Sequence, residues 1–436
     1  MGQTAATRGF SIRSSLAFLH GNILVLTITQ ASGMLTRSMA FPYASLYILA
    51  LGGDPEIIGL ITALSPLAGL LMFPIGGYLA DHAGRVRLIA VGGYLSSAVN
   101  LLFVVAPSWQ LLAVAAFLRG FIVFQFPPSS AIIADSLRPE DRGKGVATMN
   151  TISGIVGLIG PYLAGLIIVG SGNEAGGRLL YGVMAVVYLA NAVINHRFLR
   201  ETAGQPAGIQ LAEIPAVFRS AYGGIPDLLK RLPASARALA GIVVLMFVAN
   251  AVASPFWVVW VLDEIGLSAA DWGLILLIEA ATRTLLYLPV GFAIDRKGRV
   301  GFVRIALTVA AIAVPATAIA TTFTHVLLIR LAIAVANTFF LCACSAMMAN
   351  ALPRDIRGQA MAALGRGTVM LGASSGGTGG PGLGFLTVVP IMVASIVGGI
   401  IYSWNANVTW LAVLVLSVAS LAIAVIVLRD TDTAEV

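Results

Sequence analysis

Long apolar runs, each followed by a short polar or charged stretch, occupy most of this 436-residue chain. A run of roughly 18 to 25 apolar residues is long enough to cross a lipid bilayer as one helix. On this criterion the sequence predicts an all-α, polytopic membrane protein with twelve transmembrane helices. The predicted spans lie near residues 20–50, 57–80, 88–106, 109–134, 146–170, 178–197, 238–262, 272–294, 302–322, 325–350, 360–402 and 405–428.

The first and eleventh predicted spans are longer than a straight crossing requires. Pro42 lies within the first, and the run GTGGPGLG, residues 377–384, lies within the eleventh. Proline and glycine interrupt helices, and an interrupted helix is tolerated in a membrane where protein surrounds it. We therefore expect both spans to be tilted or broken at these residues.

The amino-acid composition agrees with a membrane protein. Hydrophobic residues make up 58% of the chain and charged residues only 10%, with a mean hydropathy of +0.93. Soluble globular proteins carry about 25% charged residues. A soluble fold is therefore excluded.

The distribution of the positive charges predicts how the spans are oriented. The net charge is +7 at pH 7, which in a soluble domain would suggest nucleic-acid binding. Apart from five arginines inside the spans and Arg178, the Lys and Arg residues lie in or beside the two termini and the loops that follow even-numbered spans. Positively charged loops stay in the cytoplasm. We expect both termini to be cytoplasmic and no nucleic acid to be bound.

The longest polar loop divides the chain into two sets of six spans. The expected parts are an N-terminal bundle of residues 1–200, a cytoplasmic central loop of residues 201–236 and a C-terminal bundle of residues 237–436. Within the loop, the segment IQLAEIPAVF is either a short amphipathic helix at the membrane surface or a plain linker.

The two halves contain similar motifs at a similar spacing. GYLADHAGRV, residues 77–86, and GFAIDRKGRV, residues 291–300, begin 214 residues apart. LRPEDRGKGVA after span four and LPRDIRGQAMA after span ten begin 215 residues apart. This repetition favours an internal duplication, and repeats of this kind place a binding site at their interface near the membrane midplane.

The first pair of motifs resembles the loop signature G-x-L-A-D-R-x-G-R-K of the major facilitator superfamily, with His82 and Val86 replacing two basic residues. Together with the twelve spans and the central loop, the whole chain resembles transporters of that superfamily. Its motifs are most similar to those of the drug or metabolite:proton antiporter branch. The resemblance implies two pseudo-symmetric six-helix bundles that work by alternating access.

The resemblance also implies an inner gate at the cytoplasmic ends of the bundles. There Asp81 and Asp295 would accept hydrogen bonds from a neighbouring helix N-terminus and from arginines, which stabilises a carboxylate by about 0.3 to 2 kcal/mol. The alternative is a solvated turn that only obeys the charge rule. The expected gate residues are Gly77, Asp81, Gly84, Arg85, Asp135, Arg142, Gly291, Asp295, Gly298, Arg299 and Arg357.

Charged residues inside the spans are candidates for substrate and proton binding, since a buried arginine costs several kcal/mol unless it is paired or hydrated. Glu279 and Arg283 lie at i and i+4, which suits a helical ion pair. They either satisfy each other or face a water-filled cavity, with Arg283 binding substrate and Glu279 exchanging a proton. Arg37 shares a face of span one with Gln30, and we expect it in the cavity.

Arg119 and its counterpart Arg330 lie early in spans four and ten. Arg119 resembles the arginine associated with proton coupling in antiporters, although the Gln and Gly that usually follow it are absent from RGFIVFQFPP. Arg330 and Arg366 are also candidates, but each could instead reach a membrane edge. The candidate set is Gln30, Arg37, Arg119, Glu279, Arg283, Arg330 and Arg366.

Two further motifs have alternative interpretations. GIVGLIGPYLAG in span five resembles the antiporter signature, and it either bends the helix or forms a packing seam of small residues. Phe256, Trp257 and Trp260 either line an outer gate or form an interfacial aromatic belt, which is the commoner arrangement. The candidate helix-bending residues are Gly157, Gly160, Pro161 and Gly165, with Gly380 and Pro381 in span eleven.

The expected function is secondary active transport of a small organic solute across the cytoplasmic membrane. No G-x-x-x-x-G-K-[ST] motif for ATP occurs in the chain, so an ion gradient should supply the energy, with protons as the default. The arginines favour export of an organic anion or amphipathic compound. The alternatives are a multidrug efflux antiporter for cationic or hydrophobic compounds, a solute importer, and a membrane receptor or scaffold without transport.

An enzyme is not expected. The four histidines are scattered along the chain, and no H-E-x-x-H or G-x-S-x-G motif is present. The expected partners are a small-molecule substrate, protons and the lipid bilayer. We expect a monomer without cofactor or metal.

Overall fold

The computed structural model of the protein describes residues 19–204, 208–351, 369–374 and 384–429, and within these ranges it consists of helices and their connections, without strands. The helices before the central loop are α1 (Gly21–Ala40), α2 (Ala44–Ala50), α3 (Pro55–His82), α4 (Arg85–Val105), α5 (Trp109–Phe121), α6 (Phe126–Ser136), α7 (Arg142–Leu158) and α8 (Gly160–Phe198). Those that follow are α9 (Ile214–Gly223), α10 (Ile225–Arg231), α11 (Ala234–Ala253), α12 (Trp257–Asp263), α13 (Ala269–Lys297), α14 (Val300–Ala313), α15 (Phe323–Ala351), α16 (Phe385–Trp404) and α17 (Ala406–Ile426).

Ten helical segments among the described residues are long and apolar enough to cross a membrane. The prediction of an all-helical, multi-pass membrane protein is therefore confirmed. The longest segment, Arg142–Phe198, covers α7 and α8 and contains a break at Gly172, where φ is +81°. A Cβ atom on Gly176 would lie 3.1 Å from Cα of Ile168, whereas eight residues of straight helix span about 12 Å. The chain therefore turns back at Gly172.

Helix α1 is 20 residues long but is not one of the ten apolar segments, because polar residues such as Thr27, Gln30 and Arg37 interrupt its apolar sequence. A 3₁₀ turn over Phe41–Tyr43 joins α1 to α2. This turn contains Pro42, so the interruption of the first span falls where the sequence predicts it.

The predicted eleventh span, residues 360–402, is not one continuous helix. Among the described residues it consists of α16 and a non-helical segment, Val369–Ser374; Gly380 and Pro381 lie outside the described residues. The buried Asn337 side chain donates to the carbonyl of Leu371 at 2.9 Å and accepts from its N–H at 2.6 Å. Asn250 contacts Met370 and Ala373 in the same way. These side chains replace the helical hydrogen bonds that this segment lacks.

The two halves meet along α3 against α16 and α8 against α13. At the end of the molecule opposite the basic loops, glycines allow close contact. A Cβ atom on Gly59 would collide with the carbonyl oxygen of Ser395, and one on Gly273 would collide with that of Pro161. Tyr43 Oη lies 2.8 Å from the same Pro161 oxygen. We call this contact the outer seam; it closes the molecule at that end.

The central-loop helix α9 packs on α3, so the segment IQLAEIPAVF is partly helical and docked. Tyr222 of α9 donates its hydroxyl to the carbonyl of Leu70 at 2.5 Å. That carbonyl has no helical donor, because Pro74 four residues later lacks an N–H. Burial raises the pKa of the Tyr222 hydroxyl, so the group stays protonated and able to donate at physiological pH.

Candidate functional site

A cavity of about 600 Å³ lies within the first half of the molecule. Residues of α1 to α8 line it, and Val388 of α16 contributes from the second half. It extends from Tyr47 near the outer seam to Leu137 and Arg142 beside the basic loops. The cavity therefore reaches one end of the molecule while the outer seam closes the other.

The cavity is positively charged. Arg37, Arg119 and Arg142 line it, and no Asp, Glu, Lys or His occurs among the lining residues that the structure describes. Neutral polar side chains, including Asn100 and Asn191, complete the polar part of the wall. Such a surface attracts an anion and repels a cation.

Arg37 and Gln30 both line the cavity from α1. Arg37 Nη1 donates to the hydroxyl of Tyr188 at 3.0 Å, and Gln30 Nε2 donates to Asn150 Oδ1 at 3.0 Å. Their spacing of seven residues, about two helical turns, places them on one face. Both contacts are to neutral groups, so the charge of Arg37 stays available to the cavity.

Arg119, on α5, lies between two aromatic rings. Its guanidinium carbon is 5.2 Å from the ring centre of Phe41 and 4.8 Å from that of Phe103. Its Nη1 is buried without a hydrogen-bond partner. Within the described ranges no carboxylate lies within 4.0 Å of this guanidinium. Cation–π contacts stabilise the charge but leave Nη1 without a hydrogen-bond acceptor.

Glu279, Arg283 and Arg330 meet in the second half, outside the lining of the cavity. Glu279 is 3% exposed and Arg330 is 1% exposed. Arg330 donates from Nε at 2.8 Å and from Nη2 at 2.5 Å to Oε2 of Glu279. Arg283 Nη1 lies farther away, 3.9 Å from Oε1. Arg330, not the i+4 residue, is therefore the main partner of Glu279.

The surroundings of Arg330 complete this buried ion pair. Its Nη1 donates to the carbonyl of Gly372 at 2.7 Å, and its guanidinium carbon is 4.7 Å from the ring of Trp257 and 5.6 Å from that of Trp272. Arg330 does not reach a membrane edge. Phe256, Trp257 and Trp260 are buried, so the interpretation of these residues as an interfacial belt is wrong; their rings pack inside the second half.

At the expected inner gate, the described contacts stay within the first half and the start of the central loop. Arg85 pairs with Asp135 and donates to Thr202 at 2.9 Å, while Arg142 Nε donates to the carbonyl of Ala134 at 2.9 Å. Asp81 is exposed and has no hydrogen bond or ion pair to another described residue. Among the described residues, Asp81 makes no contact that joins the two halves.

The remaining expected gate residues include three glycines with space around them or a positive φ, and one arginine outside the described residues. Gly298 has φ of +85° and ends α13, and Arg299 follows it. Asp295 lies on α13; its side chain is outside the described part of the structure. Added Cβ atoms on Gly77 and Gly291 would meet no atom within 4 Å, while one on Gly84 would lie 3.2 Å from Glu201. Arg357 and Arg366 fall outside the described residues.

Glu201 is a contact that the sequence does not reveal. Its Oε2 accepts from the backbone N–H of Val86 at 3.0 Å and so caps the first turn of α4. The negative charge at a helix N-terminus is expected from Asp81, but here Glu201 supplies it, 115 positions after Val86 in the chain. Only the packing of α8 beside α4 brings the two together.

The glycines of the span-five motif form close helix contacts. Added Cβ atoms on Gly157 and Gly160 would run into Met34 and Ser38 of α1, and one on Gly165 would run into the backbone at Ala269. The carbonyl of Gly157 also accepts from Ser38 Oγ at 2.8 Å. In the structure, these glycines pack α7 and α8 against α1 and α13. No cluster of potential metal ligands occurs in the described part of the chain.

Comparison with known proteins adds to this geometry. Residues 26–234 match the family model of the Major Facilitator Superfamily. The chain is 29% identical over 119 residues to a probable actinorhodin transporter of Streptomyces coelicolor and 34% identical over 135 residues to a multidrug resistance efflux pump PmrA homolog of Lactococcus lactis. These matches cover 27% and 30% of this chain, but only 21% and 33% of the two relatives.

Solved structures resemble the chain over nearly its whole length. A bacterial homolog to the human lysosomal transporter Spinster, in an inward-facing and occupied conformation, has a TM-score of 0.68 at 16% identity over 92% of this chain and 95% of that one. The nucleoside transporter NupG has a TM-score of 0.65 at 14% identity over 93% and 98%. At such identities the likeness concerns the fold alone.

Proposed function

Because the chain belongs to the major facilitator superfamily, we propose that it is a secondary transporter that moves a small organic solute across the cytoplasmic membrane by alternating access. The protein would work as a monomer in the lipid bilayer, with residues 1–200 and 237–436 as two six-helix bundles joined by the loop 201–236. Family membership supports a transporter rather than an enzyme, receptor or scaffold.

Twelve spans with both termini in the cytoplasm fit the helices best. Ten segments are long and apolar enough to cross. Helix α1, which carries polar residues on one face, would be an eleventh span. The turn at Gly172 divides the longest segment into two spans, which gives twelve. The basic loops at Arg85 and Arg142 belong on the cytoplasmic side by the positive-inside rule.

With that orientation, the geometry supports an inward-facing state. The outer seam closes the external end, and the cavity extends to Arg142 at the cytoplasmic end. Asp81 and Asp295 would form the inner gate only in the opposite state, when the cytoplasmic ends of the bundles meet. Their charge would then bias the equilibrium between the two states.

An organic anion is the substrate class that the cavity favours. The observation that carries this proposal is the lining itself, which contains three arginines and no acidic side chain among the described residues. Apolar and aromatic residues such as Phe41, Phe73 and Phe103 suit the hydrophobic part of an amphipathic molecule. Export is the proposed direction, because relatives are described as a multidrug efflux pump and a quinolone resistance protein.

Multidrug efflux of cationic or hydrophobic compounds is the second candidate, and those same relatives favour it. The segment that matches this chain covers only 33% of the length of each of these relatives. Import is the remaining transport alternative. The two substrate classes differ in charge, so transport of matched compounds separates them.

Proton coupling is assigned to Glu279. Its carboxylate is buried between α13 and α15 and bound to Arg330. A proton on Glu279 would leave Arg330 buried without a matching charge, which is strongly unfavourable. Arrival and loss of a proton would therefore favour different arrangements of α13, α15 and the segment beside Gly372.

Purified protein in liposomes with an imposed pH gradient tests this function. We expect gradient-driven movement of 3-hydroxy-2-naphthoate but not of a naphthyl compound carrying a trimethylammonium group. Movement of the cation alone would support multidrug efflux instead, and movement of no compound in a broad panel would support a scaffold.

The coupling assignment has its own test in the same liposomes. Glu279→Gln should abolish gradient-driven accumulation but leave exchange of labelled for unlabelled substrate. Full accumulation by this variant would show that Glu279 is not the coupling residue.

A further inference from the structure

The two halves place an arginine in similar surroundings but neutralise it differently. Arg119 in the first half and Arg330 in the second each lie over two aromatic rings. Arg330 is bound to Glu279 of α13. Arg119 has no such carboxylate among the described residues, and its Nη1 is buried without a partner.

The internal repeat places a serine of α3 at the level of the missing carboxylate, with the two arginines 211 residues apart, about one helical turn less than the spacing of the charged motifs. The charged motifs at the ends of α3 and α13 are 214 residues apart, and by this spacing Ser65 of α3 corresponds to Glu279 of α13. Ser65 lines the cavity, as Arg119 does. A Cβ atom on Gly120, the residue after Arg119, would collide with the carbonyl oxygen of Ser65. The helical turns that carry Ser65 and Arg119 are therefore in contact.

This difference leaves a charged but incomplete site in the first half. A guanidinium group below the membrane surface is unfavourable without an anion or water. The corresponding group in the second half has its anion built in. Because Ser65 is shorter than glutamate, it leaves room in the cavity beside Arg119.

A second unsatisfied group lies close to the same aromatic ring. Asn100 is 2% exposed and lines the cavity. Its Nδ2 donates to the carbonyl of Ser96 at 2.8 Å, but its Oδ1 is buried without a partner. Asn100 precedes Phe103 by three residues, which places both on one face of α4. Near the Phe103 ring, Arg119 therefore offers a hydrogen-bond donor and Asn100 offers an acceptor.

We infer that Arg119 is the anion subsite of the cavity and that the carboxylate of an aromatic acid takes the place that Glu279 occupies beside Arg330. The ring of this acid packs among Phe41 and Phe103, and a hydroxyl or amide donor on it binds Asn100 Oδ1. This inference rests on the proposed transport function and names the substrate class of its site.

The test is to build the missing carboxylate into the first half. Full-length Ser65→Glu protein in detergent is compared with wild type for binding of 3-hydroxy-2-naphthoate and of the corresponding carboxamide, by isothermal titration calorimetry. Ser65→Gln is the matched control, because it adds the same volume without the charge. The measured quantity is the ratio of the two affinities, which removes any effect of side-chain size.

Wild type should prefer the carboxylate about tenfold or more, as expected for a hydrogen bond to a charged group. Ser65→Gln should keep this preference even if it weakens both ligands, and Ser65→Glu should lose it. Equal preference in Ser65→Glu and Ser65→Gln, or no preference in wild type, would overturn the inference. If Ser65→Glu does not fold, Arg119→Gln decides, since it must also lose the preference.

Transport measurements separate this inference from the proposed function. If the protein moves no solute in liposomes but shows the predicted ratio of affinities, the proposed transport function is wrong and the Arg119 subsite is supported. If the protein transports the anion but Ser65→Glu has the same ratio of carboxylate to carboxamide affinity as wild type, the Arg119 subsite is wrong and the transport function is supported.

Discussion

Closure of the outer seam depends on glycine, and Gly59→Ala is the substitution that tests this. Gly59 of α3 lies directly against α16. An added Cβ would collide with the carbonyl oxygen of Ser395 and lie 3.1 Å from Cα of Gly399. Both neighbours are backbone atoms, so no side chain can rotate away to make room. The two helices must separate for the methyl group to fit.

The expected size of the effect follows from this overlap. Forcing one extra carbon into a packed contact costs about 1 to 3 kcal/mol. The higher helix propensity of alanine, about 1 kcal/mol, applies in either conformation because α3 remains helical. The steric overlap therefore destabilises only the conformation with the closed outer seam. At about 1.4 kcal/mol per tenfold change, the population with a closed outer seam should fall about 5- to 150-fold relative to the open one.

The assay is the distance between spin labels placed across the seam, measured by double electron–electron resonance. Cys342 and Cys344 are first replaced, and cysteines for the labels are introduced at Glu56 and Ser403, which are both exposed. The distance between the two labels reports the separation of α3 and α16. Gly59→Ala should move the distribution to longer distances. Gly154→Ala is the control, since its Cβ would meet no atom within 4 Å. The same distribution in all three proteins would refute the account of the seam.

Two further predictions concern contacts that were found only in the structure. Glu279→Gln should lower the free energy of unfolding by about 3 kcal/mol, because Arg330 stays buried without its counterion; adding Arg330→Met should recover most of that loss in chemical denaturation, whereas additive losses would contradict the pairing. Tyr222→Phe should weaken the docking of α9 by about 1 kcal/mol, since it leaves the Leu70 carbonyl opposite Pro74 without a donor. Hydrogen exchange of α9 should speed up in this variant, and unchanged exchange would argue against the contact.

The helices and the first interruption could be predicted because they depend on local sequence. Apolar length determines a span, and Pro42 lies in the 3₁₀ turn that follows α1. The shared face of Gln30 and Arg37 follows from helical spacing alone. These features need no information about which helices are neighbours.

The partner of Glu279 could not be predicted in this way. Arg283 lies one helical turn away, but Arg330, 51 residues later, makes the short contacts. The non-helical segment 369–374 has the same origin, because Asn250 of α11 and Arg330 and Asn337 of α15 bind its carbonyl groups only after these helices have packed together. Sequence spacing identifies contacts within a helix, whereas these depend on tertiary packing.

Access to the cavity from alternate sides of the membrane is the central claim, and side-specific labelling at Thr62 tests it most directly. Thr62 lines the cavity on α3. In a protein whose single cysteine replaces Thr62, a membrane-impermeant maleimide should react from the cytoplasmic side. With Gly59→Ala added, it should also react from the external side. Reaction from neither side, or from the cytoplasmic side alone in both proteins, would contradict the account.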